Sequence, residues 1–344
     1  MYSVAVLSPG KVDIVEIGKP GVGDYDVLVK TEISFICNAT DGKIIAYHMP
    51  GLGEENYPLV LGHEAVGRVV EIGGKVKNFH IGARAIGGLV FDVDGPYGSG
   101  WGGHSEYTLI KDIRAMLADG AAPEGYNETY KIMTEVPDDI PVEAAGLLCT
   151  WREVYSGFFN DFKATPDNDI VIFGSGPVGL SFTRFARIAG FKKIITIDPL
   201  AGKRILAKKM GADVALAPEE VAEYIASNGK VDIVIDAVGN PNIINTGLSL
   251  IKLGGSVCVF GVVGNDEFVL KKASGPYNFN LIFHQWPTRD YEYDAQEPLI
   301  DWIRSNKLDY RDFVTSRFSV NDVAQAVEEV KKPTNIKTML IFDR

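Results

Sequence analysis

Three kinds of residue able to hold a zinc ion stand far apart in this chain: Cys37, His63 followed directly by Glu64, and Cys149. Cys37 precedes His63 by 26 residues (63 − 37) and Cys149 follows it by 86 (149 − 63). Two thiolates and an imidazole make a good zinc set, and three protein ligands leave the fourth position open for chemistry. Lone cysteines and histidines are more often packing groups, so spacing alone leaves both readings open. A second group is local. Gly174-Ser175-Gly176-Pro177-Val178-Gly179 follows the apolar run Ile170-Val171-Ile172-Phe173 and opens a helical pattern. Its first glycine permits a tight turn, its second lets backbone approach a pyrophosphate, and its third lets helix pack on strand. The N-terminus of the helix then offers N–H groups to phosphate. Asp198 comes 19 residues after Gly179 (198 − 179). A carboxylate there accepts hydrogen bonds from an adenosine ribose and repels a 2′-phosphate, which points to NAD over NADP. Lys203 lies within reach of the same ribose or phosphate. The plainer alternative is a glycine turn and a helix-capping aspartate in another α/β fold.

The elements that must position these residues follow from pattern. Met1 to Ile17 alternates like a strand. The runs 24–34, 64–74 and 102–110 read as short strands punctuated by Gly73-Gly74, Gly87-Gly88 and Gly102-Gly103. An antiparallel, β-rich first domain is expected, of barrel type. After Val142 the pattern changes: a helix across 143–159, then strand, glycine turn, helix and strand over 169–199, and further strands at 231–239 and 254–264. Strands alternating with helices imply a parallel, doubly wound sheet. Helices at 298–308 and 320–332 and a closing strand at 338–342 follow. The polar stretch 116–130 reads as an irregular loop, either lining a site or inserted at the surface.

With 344 residues the chain is long enough for two domains. Its 34 Lys and Arg against 45 Asp and Glu give a net charge of −11, a poor match for nucleic acid. Three dispersed cysteines make no disulfide framework, and no apolar run approaches a membrane span. A cytoplasmic protein without membrane or nucleic-acid partners is expected.

The string from Gly62 to Val76, GHEAVGRVVEIGGKV, resembles the zinc signature of the medium-chain dehydrogenase/reductase superfamily at Gly62, His63, Glu64, Gly67, Gly73 and Val76. The run 32–43 resembles its first-ligand loop, 102–110 its barrel strand, and 174–199 its cofactor domain, so the resemblance covers nearly the whole chain. It implies a GroES-like β-barrel catalytic domain (1–150), a Rossmann dinucleotide-binding domain (151–290), and a C-terminal segment (291–344) returning to the first. It further implies that Cys37, His63 and Cys149 are zinc ligands, with Glu64 beside them or exchanging with water. Ala237 and Val238 would pack near the adenosine half, and Phe260-Gly261-Val262 would fix the carboxamide through backbone groups. Cys258 reads as core, and Asp236 is left without a role. A homodimer or homotetramer is expected, joined through 256–283, with VCVFGVV or NFNLIF supplying the surface, although internal burial explains the first equally well.

Two departures stand out. Relatives often carry a second, structural zinc on four close cysteines; the corresponding stretch 86–105 has none, so one catalytic zinc is expected. The family usually places Ser or Thr two residues after the first ligand as a proton relay, then Asp. Here Ala39 occupies that position, and Thr40-Asp41 follow as if one residue were inserted. Either Thr40 takes the relay, or water does; Glu64 and His48 are the further candidates. Asp41 is a candidate acceptor for His63. The implied reaction moves hydride between a secondary alcohol (a polyol, sugar-derived or diol substrate) and NAD, with Thr40, Glu64 and His63 catalytic. Tyr47, His48, Trp101, His104, Trp151 and Arg152 are candidate pocket residues, with scaffold or surface the plainer reading of each; an inward Arg152 would favour a hydroxy acid, and helix packing or a surface ion pair is its plainer alternative. The rivals are a zinc-free NADPH-dependent enone or quinone reductase of the same superfamily and a non-catalytic nucleotide-sensing protein.

Overall fold

The strand Asp26–Ile36 organises the first part of the molecule. Val27, Leu28, Val29, Ile33, Phe35 and Ile36 are buried, so it is apolar on both faces along much of its length. Strand Ala65–Ile72 pairs antiparallel along one side. Along the other side, Tyr107–Lys111 pairs with its first half and Lys337–Ile341 with its second. A Cβ on Gly67 would strike the Lys30 carbonyl, which is why this strand crossing takes glycine. Val314–Ser319 and Lys337–Ile341 run parallel at one end of the seven-stranded sheet, and Arg84–Ile86 and Thr134–Val136 continue the other. A second sheet holds the hairpin Tyr2–Ser8 and Lys11–Glu16 with the short strands Leu59–Val60 and Gly98–Ser99. The helix Val323–Val330 buries Val323, Ala326 and Val327, spaced as one helical face. These elements make a GroES-like domain.

The computed structural model describes residues 1–264 and 267–342. It divides into two units, one comprising Met1–Thr150 with the chain from Gln296 onward, the other Trp151–Ala295. The second unit is a six-stranded parallel sheet in the order Val214–Leu216, Lys193–Ile197, Asp169–Phe173, Val231–Asp236, Ile251–Val259, Asn280–Phe283. The strand order reverses at Asp169–Phe173, the arrangement of a Rossmann fold. Ile170 to Ile172, Ile194, Ile195, Val234 and Ile235 have no exposed surface, because helices cover both faces and the strands therefore read as continuous apolar runs.

One expectation is corrected, and one open alternative is decided. The stretch 116–130 is not wholly irregular: helix Ile113–Ala118 enters it and a 3₁₀ turn, Glu128–Ile132, leaves it. Asp112 caps that helix through the Ala115 N–H and also accepts from the Lys77 and Asn78 N–H groups, tying the loop to distant backbone. The run Val257-Cys258-Val259 supplies no outer surface, since it lies buried between two neighbouring strands. The sheet edge is Asn280–Phe283. Burial pushes the Cys258 thiol well up, as expected of a core cysteine.

Candidate functional site

Cys37 follows the last residue of the central strand, and the first turn of helix Thr40–Ile45 forms on it, with Cys37 accepting the Asp41 N–H at 2.8 Å. His63 and Glu64 precede strand Ala65–Ile72. Pairing of these two strands therefore brings residues 26 apart together, and donor atoms of Cys37, His63 and Glu64 lie within 4.8 Å of one another. A thiol, an imidazole and a carboxylate at that separation suit a divalent zinc ion.

The surroundings fix these groups. His63 Nδ1 stands 3.5 Å from Asp41 Oδ1, and its Nε2 stands 3.9 Å from Glu64 Oε1. Burial would drive the Asp41 carboxyl toward its neutral form, but the imidazoles of His104 and His63 outweigh it and hold the group well below the usual carboxylate range. Burial likewise disfavours a charged His63; Asp41 and the Cys37 sulfur reverse this and hold the imidazole well above its ordinary value. Glu64 is clamped by the Lys337 ammonium at 2.5 and 2.6 Å and accepts the Thr150 hydroxyl at 3.1 Å. Burial would strip Lys337 of its proton, and Glu64 more than restores it.

Cys149 lies on helix Val142–Ser156, directly before Thr150, so its backbone adjoins the Glu64 side of the site. Thr40 is half-buried at the start of its helix. The proposed pocket residues separate into different roles. Trp101 is set edge-on to His63 at 5.8 Å between ring centroids, on a backbone with φ 72 that a bulky side chain rarely adopts. Tyr47 stacks on Tyr57, and His48 is exposed. His104, Trp151 and Arg152 are fully buried, and His104 is hydrogen-bonded to Ser34 and Asp41. Complete burial and these bonds favour the scaffold reading of His104, beside Asp41, and complete burial favours packing for Arg152. Sequence reading missed Lys337 and Ser34, whose proximity to the site arises only from sheet pairing.

In the second unit the glycine turn is shaped as its composition requires. Gly174 has φ 93, and a Cβ on Gly179 would collide with the Gly174 carbonyl. Gly176 precedes helix Pro177–Ala189, with Pro177 at its first position, where the missing N–H costs nothing. Val178 lies in the first turn of the same helix. The Ser175 hydroxyl is buried without a partner, an orphan suited to a phosphate oxygen. Asp198 accepts the Ser175 N–H at 2.8 Å and the Leu200 N–H at 2.9 Å, so it supports the turn and retains further acceptor capacity. Lys203 is buried near it; desolvation pushes its ammonium down and Asp198 opposes the shift. Asp236, without a role until now, accepts the N–H groups of Val238, Gly239 and Asn240 and so shapes the loop that begins at Ala237. The ring of Phe260 packs against Phe182 and His284, and the N–H groups of Phe260 and Gly261 both donate to the Asp236 carbonyl at 2.9 Å. A carboxamide role for this run therefore rests on its carbonyls and Val262.

Residues 23–119 match the alcohol dehydrogenase GroES-like domain, and residues 177–285 match the zinc-binding dehydrogenase family. The chain is 26% identical over 342 residues to the L-idonate 5-dehydrogenase of Vitis vinifera, covering 93% of this chain and 89% of that protein. It is 25% identical over 357 residues to the sorbitol dehydrogenase of Bombyx mori, covering 98% of each. Among solved structures, the alcohol dehydrogenase of Thermus sp. ATN1 shares the fold with a TM-score of 0.80 at 20% identity, over 99% of each chain. With a GroES-like domain, a Rossmann sheet and the Cys37–His63–Glu64 group in one chain, this protein belongs to the zinc-dependent, alcohol/polyol dehydrogenase-like medium-chain dehydrogenase/reductase superfamily.

Proposed function

We propose that the chain transfers hydride between a secondary alcohol and NAD, with a polyol, sugar-derived alcohol or diol as substrate. The observation that carries this reading is the convergence of the Cys37, His63 and Glu64 donor atoms within 4.8 Å. A zinc-free reductase has no use for such a group. The activities named for the plant and insect relatives, on L-idonate and sorbitol, agree with a polyhydroxylated substrate.

In this reading Cys37, His63 and Cys149 hold one zinc ion and Glu64 stands beside it. When bound, zinc supplies Lewis-acid polarisation of the alcohol oxygen, and the nicotinamide ring supplies a hydride acceptor. Thr40, a donor and acceptor at once, takes the hydroxyl proton and passes it outward. Asp41 presents Oδ1 to His63 Nδ1, and the Lys337 ammonium balances the charge of Glu64. The turn Gly174, Gly176, Pro177, Val178 and Gly179 receives the pyrophosphate, Asp198 and Lys203 the ribose, and Ala237 and Val238 the adenosine half. Residues 1–150 with 291–344 form the catalytic domain, and 151–290 the cofactor domain, of an oligomer working in the cytoplasm.

The test is NADH formation at 340 nm across a panel of polyols, diols and sugar acids, with zinc measured in the same preparation. Turnover with NAD and bound zinc is expected. In Asp198→Gly, NAD should weaken and discrimination against NADP relax. NADPH-dependent enone reduction by zinc-free protein, or nucleotide binding with no turnover on any substrate, would replace this reading with one of its rivals.

A further inference from the structure

Behind the metal ligands runs a buried polar chain of which the reaction just described uses only Asp41. The Ser34 hydroxyl lies 2.7 Å from His104 Nδ1, and His104 Nε2 lies 3.3 Å from Asp41 Oδ2. Asp41 Oδ2 also accepts the Cys37 N–H at 2.8 Å. Its other oxygen, Oδ1, has no hydrogen-bond partner and faces His63 Nδ1, likewise unpartnered, at 3.5 Å. Ser34 and Asp41 have 0% and His104 1% of their surface exposed.

A carboxylate only accepts, so the His104 Nε2–H donates to Asp41, and Nδ1 is left to pair with the Ser34 hydroxyl. With Oδ2 occupied by His104 and the Cys37 N–H, Oδ1 is reserved for His63. The His104 ring has little room to shift. The backbone N–H of His104 donates to the Leu61 carbonyl at 2.8 Å, its backbone carbonyl accepts the Val4 N–H at 2.9 Å, and a Cβ on Gly62, whose φ is 100, would strike the ring. An imidazole in so dry a position costs free energy unless bonded, and an apolar side chain would fill the space without that cost.

We propose that His104 is a positioning residue for the metal centre: anchored by Ser34, it fixes the Asp41 carboxylate so that one oxygen is kept for His63 Nδ1, which turns Nε2 toward the metal position. The inference rests on the zinc reading above. Groups that orient metal ligands typically carry 10- to 100-fold in metal affinity.

The experiment compares wild type with His104→Leu, His104→Gln and Ser34→Ala in the full chain. Zinc affinity is read by competition with a chromogenic chelator, and ligand geometry by the visible spectrum of the Co²⁺-loaded protein. His104→Leu keeps volume and loses the donor; its zinc affinity should fall by roughly 10- to 100-fold, with altered Co²⁺ bands. His104→Gln restores an N–H toward Asp41 and should recover most of both, with Ser34→Ala falling between. A packing role predicts the reverse order, with leucine tolerated and glutamine damaging, and that order overturns the proposal, as does a leucine variant equal to wild type. Should His104→Leu not fold, an unchanged zinc affinity in Ser34→Ala overturns it and a weakened one supports it. Wild-type protein that fails to bind zinc overturns both this inference and the zinc reading; wild-type binding with unmoved variants overturns this one alone.

Discussion

Thr40 begins its helix three residues after Cys37, where the inserted residue leaves Ala39 without a hydroxyl. Thr40→Val preserves shape and removes only the hydroxyl. We expect kcat for alcohol oxidation to fall roughly 100-fold or more, the scale of a placed acid–base group, with zinc content unchanged. Near-normal kcat in steady-state assays would move the relay to water. Lys337 presents a different case. Its ammonium and Glu64 are both buried, and removing one partner leaves a charge stranded in a dry site. Lys337→Met in metal-free protein should lose about 3–5 kcal/mol in urea unfolding, and adding Glu64→Gln should recover much of it. Residues at this scale differ in how far sequence discloses them. Cys37 and His63-Glu64 sit in recognisable strings. Lys337 lies 273 residues from Glu64 in an ordinary strand, and His104 sits among glycines like any surface residue. Only strand pairing brings them to the site, and no local pattern encodes it.

The elements were largely readable where their signal is periodic. Strand Asp26–Ile36 and the runs at 170–172 and 194–197 are too apolar and β-branched for anything else. The helix end within 116–130 is hidden in the sequence because a helix of 6 residues carries too little periodicity, and its cap partners, Lys77 and Asn78, are remote in sequence. The π-helical turn Gly157–Asp161, which extends helix Val142–Ser156, has no sequence signature of its own. That turn presents Asp161, 2.6 Å from His284 Nδ1, at the end of strand Asn280–Phe283. His284 stacks on Phe260 at 4.9 Å. Burial pushes its imidazole below the ordinary value, with Asp161 opposing. The unfolded chain therefore takes up this proton at a higher pH than the folded one. The His284 contribution to stability is complete above about pH 6.5 and is lost as pH falls from there toward the lower folded value. The urea midpoint of wild type should drop over that range, and His284→Gln should flatten the slope. Parallel slopes in the two proteins would deny His284 this role.

For the whole molecule, elemental analysis should give one zinc per chain, because the sequence holds three cysteines and one of them, Cys258, is core. Two tightly held zincs would contradict the assignment. The edge strand Asn280–Phe283 and the exposed Leu253, Tyr277 and Trp286 lead us to expect a dimer or tetramer by light scattering; a species of 37.5 kDa at micromolar concentration would count against it. One feature of the chain path bears on how such a molecule is made. The first unit is discontinuous, with residues 151–295 lying between its two segments. Strand Lys337–Ile341 belongs in the sheet beside Asp26–Ile36, yet it leaves the ribosome some 300 residues later (337 − 36 = 301). Until then the nascent chain carries Glu64 without its counter-charge and a central strand with half of one side open. The intervening unit has no such debt, since its six strands come from one continuous stretch, and it can finish folding first. Metal added during synthesis would thus meet Cys37 and His63 in an incomplete site, so zinc should be retained firmly only after the C-terminal strand has docked.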